Sequence, residues 1–231
     1  KAPLPVAYYY TDTVPEEDLS GSKHRHRCVI ANIFYVLEGH PFVYHSRSPG
    51  CTGGKRYTGF SRKLHPDFEY FLSCGIPGEI EGERYKKTPD LVKTHLKNNP
   101  PFEAPGQYLV FKRWDKLDDS EQPVAVIFFA TPDVLSGLFT LANFDRDDSQ
   151  GVIAPMGAGC ASVINYAMDE SRKTSPRCIL GMFDVSARPH VAPHMLTFTI
   201  PIKRFAEMVG NMEESFLIAG SWQQVKRRIR D

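Results

Sequence analysis

An α/β or α+β fold with a mixed sheet is what this sequence predicts, and three observations carry the prediction. Short runs rich in β-branched and aromatic residues alternate with apolar stretches of helical spacing. The order strand, helix, strand, Gly-Cys turn, helix occurs twice along the chain. The 231 residues, 42% hydrophobic and 24% charged, suffice for one sizeable core, and no low-complexity segment interrupts them. The expected architecture is two pseudo-repeated β-α-β-α halves in one compact unit, divided as residues 1–106 and 107–231.

The elements follow in order. Pro5-Val6-Ala7-Tyr8-Tyr9-Tyr10 reads as a buried strand and is echoed by Pro123-Val124-Ala125-Val126-Ile127-Phe128. An apolar helical stretch comes next in each half, Cys28 to Leu37 and Val134 to Asn143, the second started by Pro132-Asp133. Second strands follow at Pro41–Tyr44 and Gly151–Ala154. Each leads into a Gly-Cys turn, Gly50-Cys51-Thr52-Gly53-Gly54 and Gly157-Ala158-Gly159-Cys160. Cys160 lies 109 positions after Cys51. Helices are expected beyond both turns, carrying Tyr57 and Phe60 in one case and Val163, Ile164 and Tyr166 in the other.

The connecting region holds a helical pattern at Leu91, Val92, His95 and Leu96, closed by Pro100-Pro101. Tyr108–Phe111 reads as a strand and Asp115–Gln122 as the charged seam between the halves. Met195–Ile202 alternates as a strand, and Lys203–Met212 and Trp222–Ile229 read as helices. The basic residues of the last helix (Lys226, Arg227, Arg228, Arg230) form a solvated face.

Charge and hydropathy narrow the functional classes. Lys and Arg number 28 against 27 Asp and Glu, so no global field attracts nucleic acid or an anionic membrane. No apolar run approaches the roughly 18 residues that span a bilayer. The first residues run directly into a strand-like segment with neither a signal peptide nor an initiator Met, which points to a trimmed start. Five cysteines, an odd number without a secretion signal, argue for free thiols in a reducing, cytoplasmic compartment. No Cys-x-x-Cys pair occurs, so any metal site must be assembled from distant segments.

The two Gly-Cys turns carry the strongest chemical signal. Glycine allows positive φ and close backbone approach, so amide groups can converge on an anion or on a sulfur. A cysteine at the start of a helix has its thiolate favoured, as a metal ligand or nucleophile. Iron–sulfur clusters use the same environment, because their sulfurs accept N–H hydrogen bonds. Gly50, Gly53, Gly54, Gly157 and Gly159 are the candidate backbone positions. The loop continuing into Lys55 and Arg56 does not fit a phosphate loop: three residues separate Gly50 from Gly54, and Arg56 follows Lys55. It retains the makings of a generic anion site.

His24 and His26 share an extended face with Cys28, but a helix beginning near Cys28 breaks that alignment, and both read as exposed. The run Gly78–Lys87 reads as a charged turn and strand edge. In the loop Asp184-Val185-Ser186-Ala187-Arg188-Pro189-His190 adjacency does not supply the geometry of a Ser–His–Asp relay, and Arg188 is the residue suited to face a ligand or cluster.

Taken with these motifs, the chain resembles domain-of-unknown-function family 169, a prokaryotic family without settled activity. The resemblance covers nearly the whole chain. It runs from Pro5-Val6-Ala7 and Cys28 through Cys51-Thr52-Gly53-Gly54 with Thr58-Gly59-Phe60. It continues to Gly151, Cys160-Ala161, Leu180-Gly181, Arg188 and Thr199-Ile200-Pro201. The resemblance implies recurring cysteines at Cys28, Cys51 and Cys160 and a fourth just after the Leu-Gly pair. Here that position is Met182, with Cys178 four residues earlier. A four-thiolate site would therefore recruit Cys178, accept another ligand, or leave one metal position open; the remaining alternative is that this chain has lost the site.

The expected function is a cysteine-ligated metal centre, most consistent with an iron–sulfur cluster. Cys28, Cys51, Cys160 and Cys178 are the ligand candidates, and Cys74 is an alternative completion. The rival expectation is a non-redox module that binds an anionic metabolite or nucleotide through Gly53, Gly54, Lys55, Arg56, Gly157 and Gly159. A third, a Cys51 or Cys160 nucleophile, lacks an identifiable base. In each case the partner is a small molecule, with no nucleic acid or membrane.

Overall fold

A computed structural model describes residues 2–16, 26–99 and 102–230; His24 lies outside them. Seven strands form one mixed sheet: β1 (Val6–Thr11), β2 (Phe42–His45), β3 (Tyr108–Arg113), β4 (Ala125–Ala130), β5 (Val152–Ile153), β6 (Cys178–Gly181) and β7 (Leu196–Pro201). Their spatial order is β2-β3-β1-β4-β7-β6-β5. Only β5 and β6 pair in parallel; the other neighbours are antiparallel. The α/β or α+β class with a mixed sheet is as the sequence predicts.

The helices that matter for the site lie between these strands. Helix α1 (Val29–Tyr35) runs into a 3-10 turn, Val36–Glu38, which Gly39 ends at φ 95°. Helix α2 (Thr52–Tyr57) follows β2 and stops before Phe60, which lies outside it. Helix α3 is Phe68–Phe71, and α4 (Pro89–Asn98) is capped by Thr88, whose side chain accepts from the Leu91 amide. Helix α5 (Pro132–Leu141) follows β4. A π-helical turn, Ala161–Asn165, continues into α6 (Tyr166–Ser171), and α7 (Ile202–Gly210) and α8 (Gly220–Arg230) close the chain.

The two faces of the sheet bury different cores. On one face, Tyr8, Phe111, Ile127 and Ile179 pack with Ile30 and Ile33 of α1 and with Val163 and Ile164 of the π-turn. On the other, Phe198 and Ile200 pack with Leu141 of α5 and Met208 of α7. Each such fully buried aliphatic side chain contributes roughly 1.5–3 kcal/mol. The period-2 alternation of β6 divides its own residues: Ile179 joins the first core, and Cys178 and Leu180 join the second.

Two sequence expectations meet a different topology. β3 is hydrogen-bonded between β1 and β2, so Tyr108–Arg113 sits with the strands of the first half rather than with residues 107–231. β5, expected to match β2, is the outermost strand on its side. The strand that takes β2's place, second out from the central β1–β4 pair, is β6.

Candidate functional site

Cys28, Cys51 and Cys160 come from three separate segments and meet above the first core. Cys28 precedes α1 in extended backbone. It is held there by Asn32, whose side-chain amide donates to the carbonyls of His26 and Cys28 and whose oxygen accepts from the His26 amide. Cys51 precedes α2, and its own amide donates to the Arg27 carbonyl at 3.3 Å, which ties the second segment directly to the first. The Gly54 amide donates to Cys51 Sγ at 3.2 Å. Cys160 lies in the first helical turn ahead of the π-turn, against which α2 packs.

Close approach, rather than unusual φ, is what the glycines provide. None of Gly50, Gly53, Gly54, Gly157 and Gly159 has a positive φ, contrary to the expectation for these turns. A Cβ on Gly54 would stand 2.9 Å from Val29 Cγ2 and 3.3 Å from Cys51 Sγ, so this glycine lets α2 sit against the start of α1. A Cβ on Gly159 would stand 2.9 Å from Met182 Sδ and 3.0 Å from Ile30 Cγ1. Gly50 faces the Tyr44 hydroxyl, whereas Gly53 and Gly157 have ordinary room.

The thiols influence one another. Burial is the main cause that raises the Cys28 thiol above its ordinary range; the Ala31 and Ile30 amides oppose it, and charges on Cys51 and Asp184 add to it. Cys160 is raised well above its ordinary range, by burial first and then by Cys51, Cys28 and Asp184. Tyr57, buried beside Cys160, is pushed up to about 12 by burial first and by Cys160 next. Its hydroxyl accepts from the Asn99 side chain, which in turn accepts from Tyr166. Solvent reaches this group of sulfurs through Cys51, which is exposed; Cys28 is half-buried and Cys160 buried.

Asp184 braces the third segment. Its Oδ2 accepts from the Gly159 amide at 3.0 Å, and its Oδ1 accepts from the Ser186 amide, the Ser186 hydroxyl and the Tyr85 hydroxyl. The carboxylate thus caps the helix that carries Cys160, which is its role in place of a Ser–His–Asp relay. Tyr85 and this use of Asp184 escaped sequence reasoning because each acts on a backbone group distant in sequence, and Asn32 because a side chain bonding back to the turn before its own helix leaves no pattern in the sequence. The π-turn carries no sequence signal either, although such turns recur at functional sites.

Cys178 does not join the group. It is fully buried on the opposite face of the sheet, 3.7 Å from Met208 Sδ, and burial pushes its thiol up to about 12. The reason is strand parity: β6 turns Cys178 away from the face that holds Cys160. Cys74 is exposed in a separate turn, in contact with the Gly75 carbonyl. Arg188 spends its guanidinium on the carbonyls of Ala192, Pro193 and Met195 and so pins its own loop. His26 stacks on Tyr35 and approaches His190.

Lys55 and Arg56 are likewise engaged, with the carbonyls of Ser46 and Arg62. Those two residues line a cleft of about 600 Å³ beside β2, together with His45, Arg47 and Phe60. Among the described residues no three His, Cys, Asp or Glu side chains form a group that could hold a metal ion. Neither is there, among them, a helix long and apolar enough to cross a membrane.

Fold and candidate site together define a class: an α/β or α+β protein whose mixed seven-stranded sheet has, on one face, segments that carry Cys28, Cys51 and Cys160. The family model DUF169, described as an uncharacterised ArCR, matches residues 3–211, and the chain belongs to that family. No curated protein and no solved structure matches it.

Proposed function

We propose that this protein holds an iron–sulfur cluster on the thiols of Cys28, Cys51 and Cys160, in a reducing, cytoplasmic setting that keeps its five free cysteines reduced. The observation that carries the reading is that three cysteine-bearing segments distant in sequence pack together: the Cys51 amide bonds to the carbonyl beside Cys28, and the helix after Cys51 packs on the π-turn after Cys160. The donor set fits the group. Thiolates are the usual cluster ligands, and an amide donor such as Gly54 N–H on Cys51 Sγ tunes cluster potential. A single tetrahedral ion needs sulfurs gathered about 2.3 Å from one centre. A cluster places each thiolate on a different iron, so its ligands are spread around the cluster rather than about one ion. Bound, the cluster would supply electron transfer or a Lewis-acidic iron; the protein supplies deprotonated thiols, so loading should release protons and improve as pH rises.

Anaerobic purification with iron and sulfide quantitation tests the proposal. Brown protein with matched iron and sulfide is expected, lost in Cys51→Ala and Cys160→Ala. Colourless protein that resists reconstitution overturns it.

A second reading, a non-redox module for an anionic metabolite, is favoured by the cleft beside β2, which Arg47 and Arg62 line with Glu103 and which Lys55 and Arg56 border through their bonds to the Ser46 and Arg62 carbonyls. Thermal-shift screening with phosphorylated ligands checks it: a shift in the wild type that Lys55→Ala abolishes is the expected sign.

A further inference from the structure

Cys28 and Cys51, far apart in sequence, are tied together through their backbones. The Cys51 amide donates to the carbonyl of Arg27, the residue bonded to Cys28, at 3.3 Å. With standard covalent dimensions that contact holds the two Cα atoms within about 7 Å, the greatest span a disulfide bridges. The side chains follow the backbones. A Cβ on Gly54 would stand 2.9 Å from Val29 Cγ2 and 3.3 Å from Cys51 Sγ. Both distances start from one point, so Cys51 Sγ lies over the first residue of α1, next in the chain to Cys28. A charge on Cys51 also raises the Cys28 thiol, as a neighbouring sulfur would.

The two thiols differ in a way that suits sequential roles. Cys51 is exposed, and the Gly54 amide, at 3.2 Å, holds its sulfur in place. Cys28 is half-buried and packs against the first core, so a reagent arriving from solvent meets Cys51 first. Cys160 is buried, and Cys178 lies on the far face of the sheet. Cys74 is exposed as well, but in a separate turn, where its sulfur meets the Ser73 hydroxyl and the Gly75 carbonyl. Exchange of thiols with disulfides needs a thiolate and access to it, and no general base.

We propose that Cys51 and Cys28 form a thiol–disulfide exchange site for low-molecular-weight disulfides, in which Cys51 attacks and Cys28 resolves. Cys51 Sγ, as the thiolate, bonds to one sulfur of the small disulfide; the S–S bond of that molecule breaks and one small thiolate leaves. Cys28 Sγ then bonds to Cys51 Sγ and displaces the second small thiolate. The protein pair loses two electrons and the small disulfide gains them, and the two protons shed by the protein thiols go to the leaving thiolates. This chemistry goes beyond the iron–sulfur reading and does not depend on it. Once bonded to each other, the two sulfurs have no thiolate left for a metal.

The experiment incubates reduced protein, freed of iron by a chelator, with oxidised glutathione at mildly alkaline pH. Free thiols are then trapped with iodoacetamide and the cysteines mapped by mass spectrometry without reduction. Wild type should gain a bond between residues 28 and 51 and a lasting glutathione on Cys74. Cys28→Ser should hold about tenfold more glutathione on Cys51 than wild type does. Cys51→Ser should leave Cys28 reduced several-fold longer. Wild type that keeps glutathione on Cys51 as firmly as on Cys74, or that joins Cys51 to any other cysteine, overturns the inference without requiring a variant to fold. So does wild type whose Cys51 stays reduced while Cys74 reacts. Protein that forms the bond between residues 28 and 51 but never takes up iron defeats the iron–sulfur reading alone, whereas protein that binds iron through Cys51 yet forms no such bond defeats this inference alone.

Discussion

The Cys51 amide is hydrogen-bonded to the carbonyl of Arg27, 24 positions earlier in the chain and next to Cys28. That contact, with Gly54 packed on Val29, fixes two of the three thiols relative to each other before any ligand arrives. The candidate site is therefore supported by backbone hydrogen bonding and core packing rather than by loops alone.

Neighbouring glycines in α2 should respond oppositely to alanine. A Cβ on Gly53 would stand 3.8 Å from the Tyr57 ring, an ordinary contact, and Gly53→Ala should gain up to about 1 kcal/mol from helix propensity. Gly54→Ala pushes a Cβ to 2.9 Å from Val29, and overpacking should outweigh the propensity gain, for a net loss of about 1–2 kcal/mol. Urea unfolding of the two variants measures the difference.

Cys178 and Cys51 should separate stability from ligation. Cys178→Ala empties a buried position against Met208 and should cost about 1–2 kcal/mol while leaving iron content unchanged. Cys51→Ala, at an exposed position, should remove the iron and, compared as iron-free protein, change the unfolding midpoint little. Thermal melts paired with iron analysis check both.

Removing the Tyr85 hydroxyl should loosen the loop that caps the Cys160 segment. That hydroxyl donates to Asp184 and accepts from the Ser186 amide, so Tyr85→Phe should cost about 1–2 kcal/mol. Hydrogen exchange should show faster exchange of the Gly159 and Ser186 amides, with distant strands unchanged.

Acid should weaken the fold at Asp145. Two hydrogen bonds from Arg204, then one from Asn211, hold its pKa at about 2 against an ordinary 3.8. A depressed carboxylate pKa stabilises the folded state above about pH 4, and that contribution is lost as pH falls toward 2. After solvent screening it is about 1–2 kcal/mol. Asp145→Asn should lose this amount at pH 7 and match wild type near pH 2, as read by denaturant titration at each pH.

Much of the fold was legible along the chain. The runs at Val6, Tyr108, Ala125 and Leu196 became strands because β-branched and aromatic residues suit a buried pleated surface. Thr88-Pro89 and Thr131-Pro132 opened helices α4 and α5, since proline is preset for a first helical turn. Cys28, Cys51 and Cys160 were legible as candidates through their places before helices. Arg188 and Cys178 were misread, because neither the carbonyls that Arg188 binds nor the parity of β6 can be seen in local sequence.

What the sequence by itself determined, then, is the set of elements and which cysteines open helices, since both depend on neighbours within a few positions. Only the tertiary structure decided which strand matches β2, which cysteine is turned to the far face, and that Met182 packs against Gly159. Strand order and side-chain facing are set by which apolar surfaces bury one another across the whole chain. No local pattern records that choice.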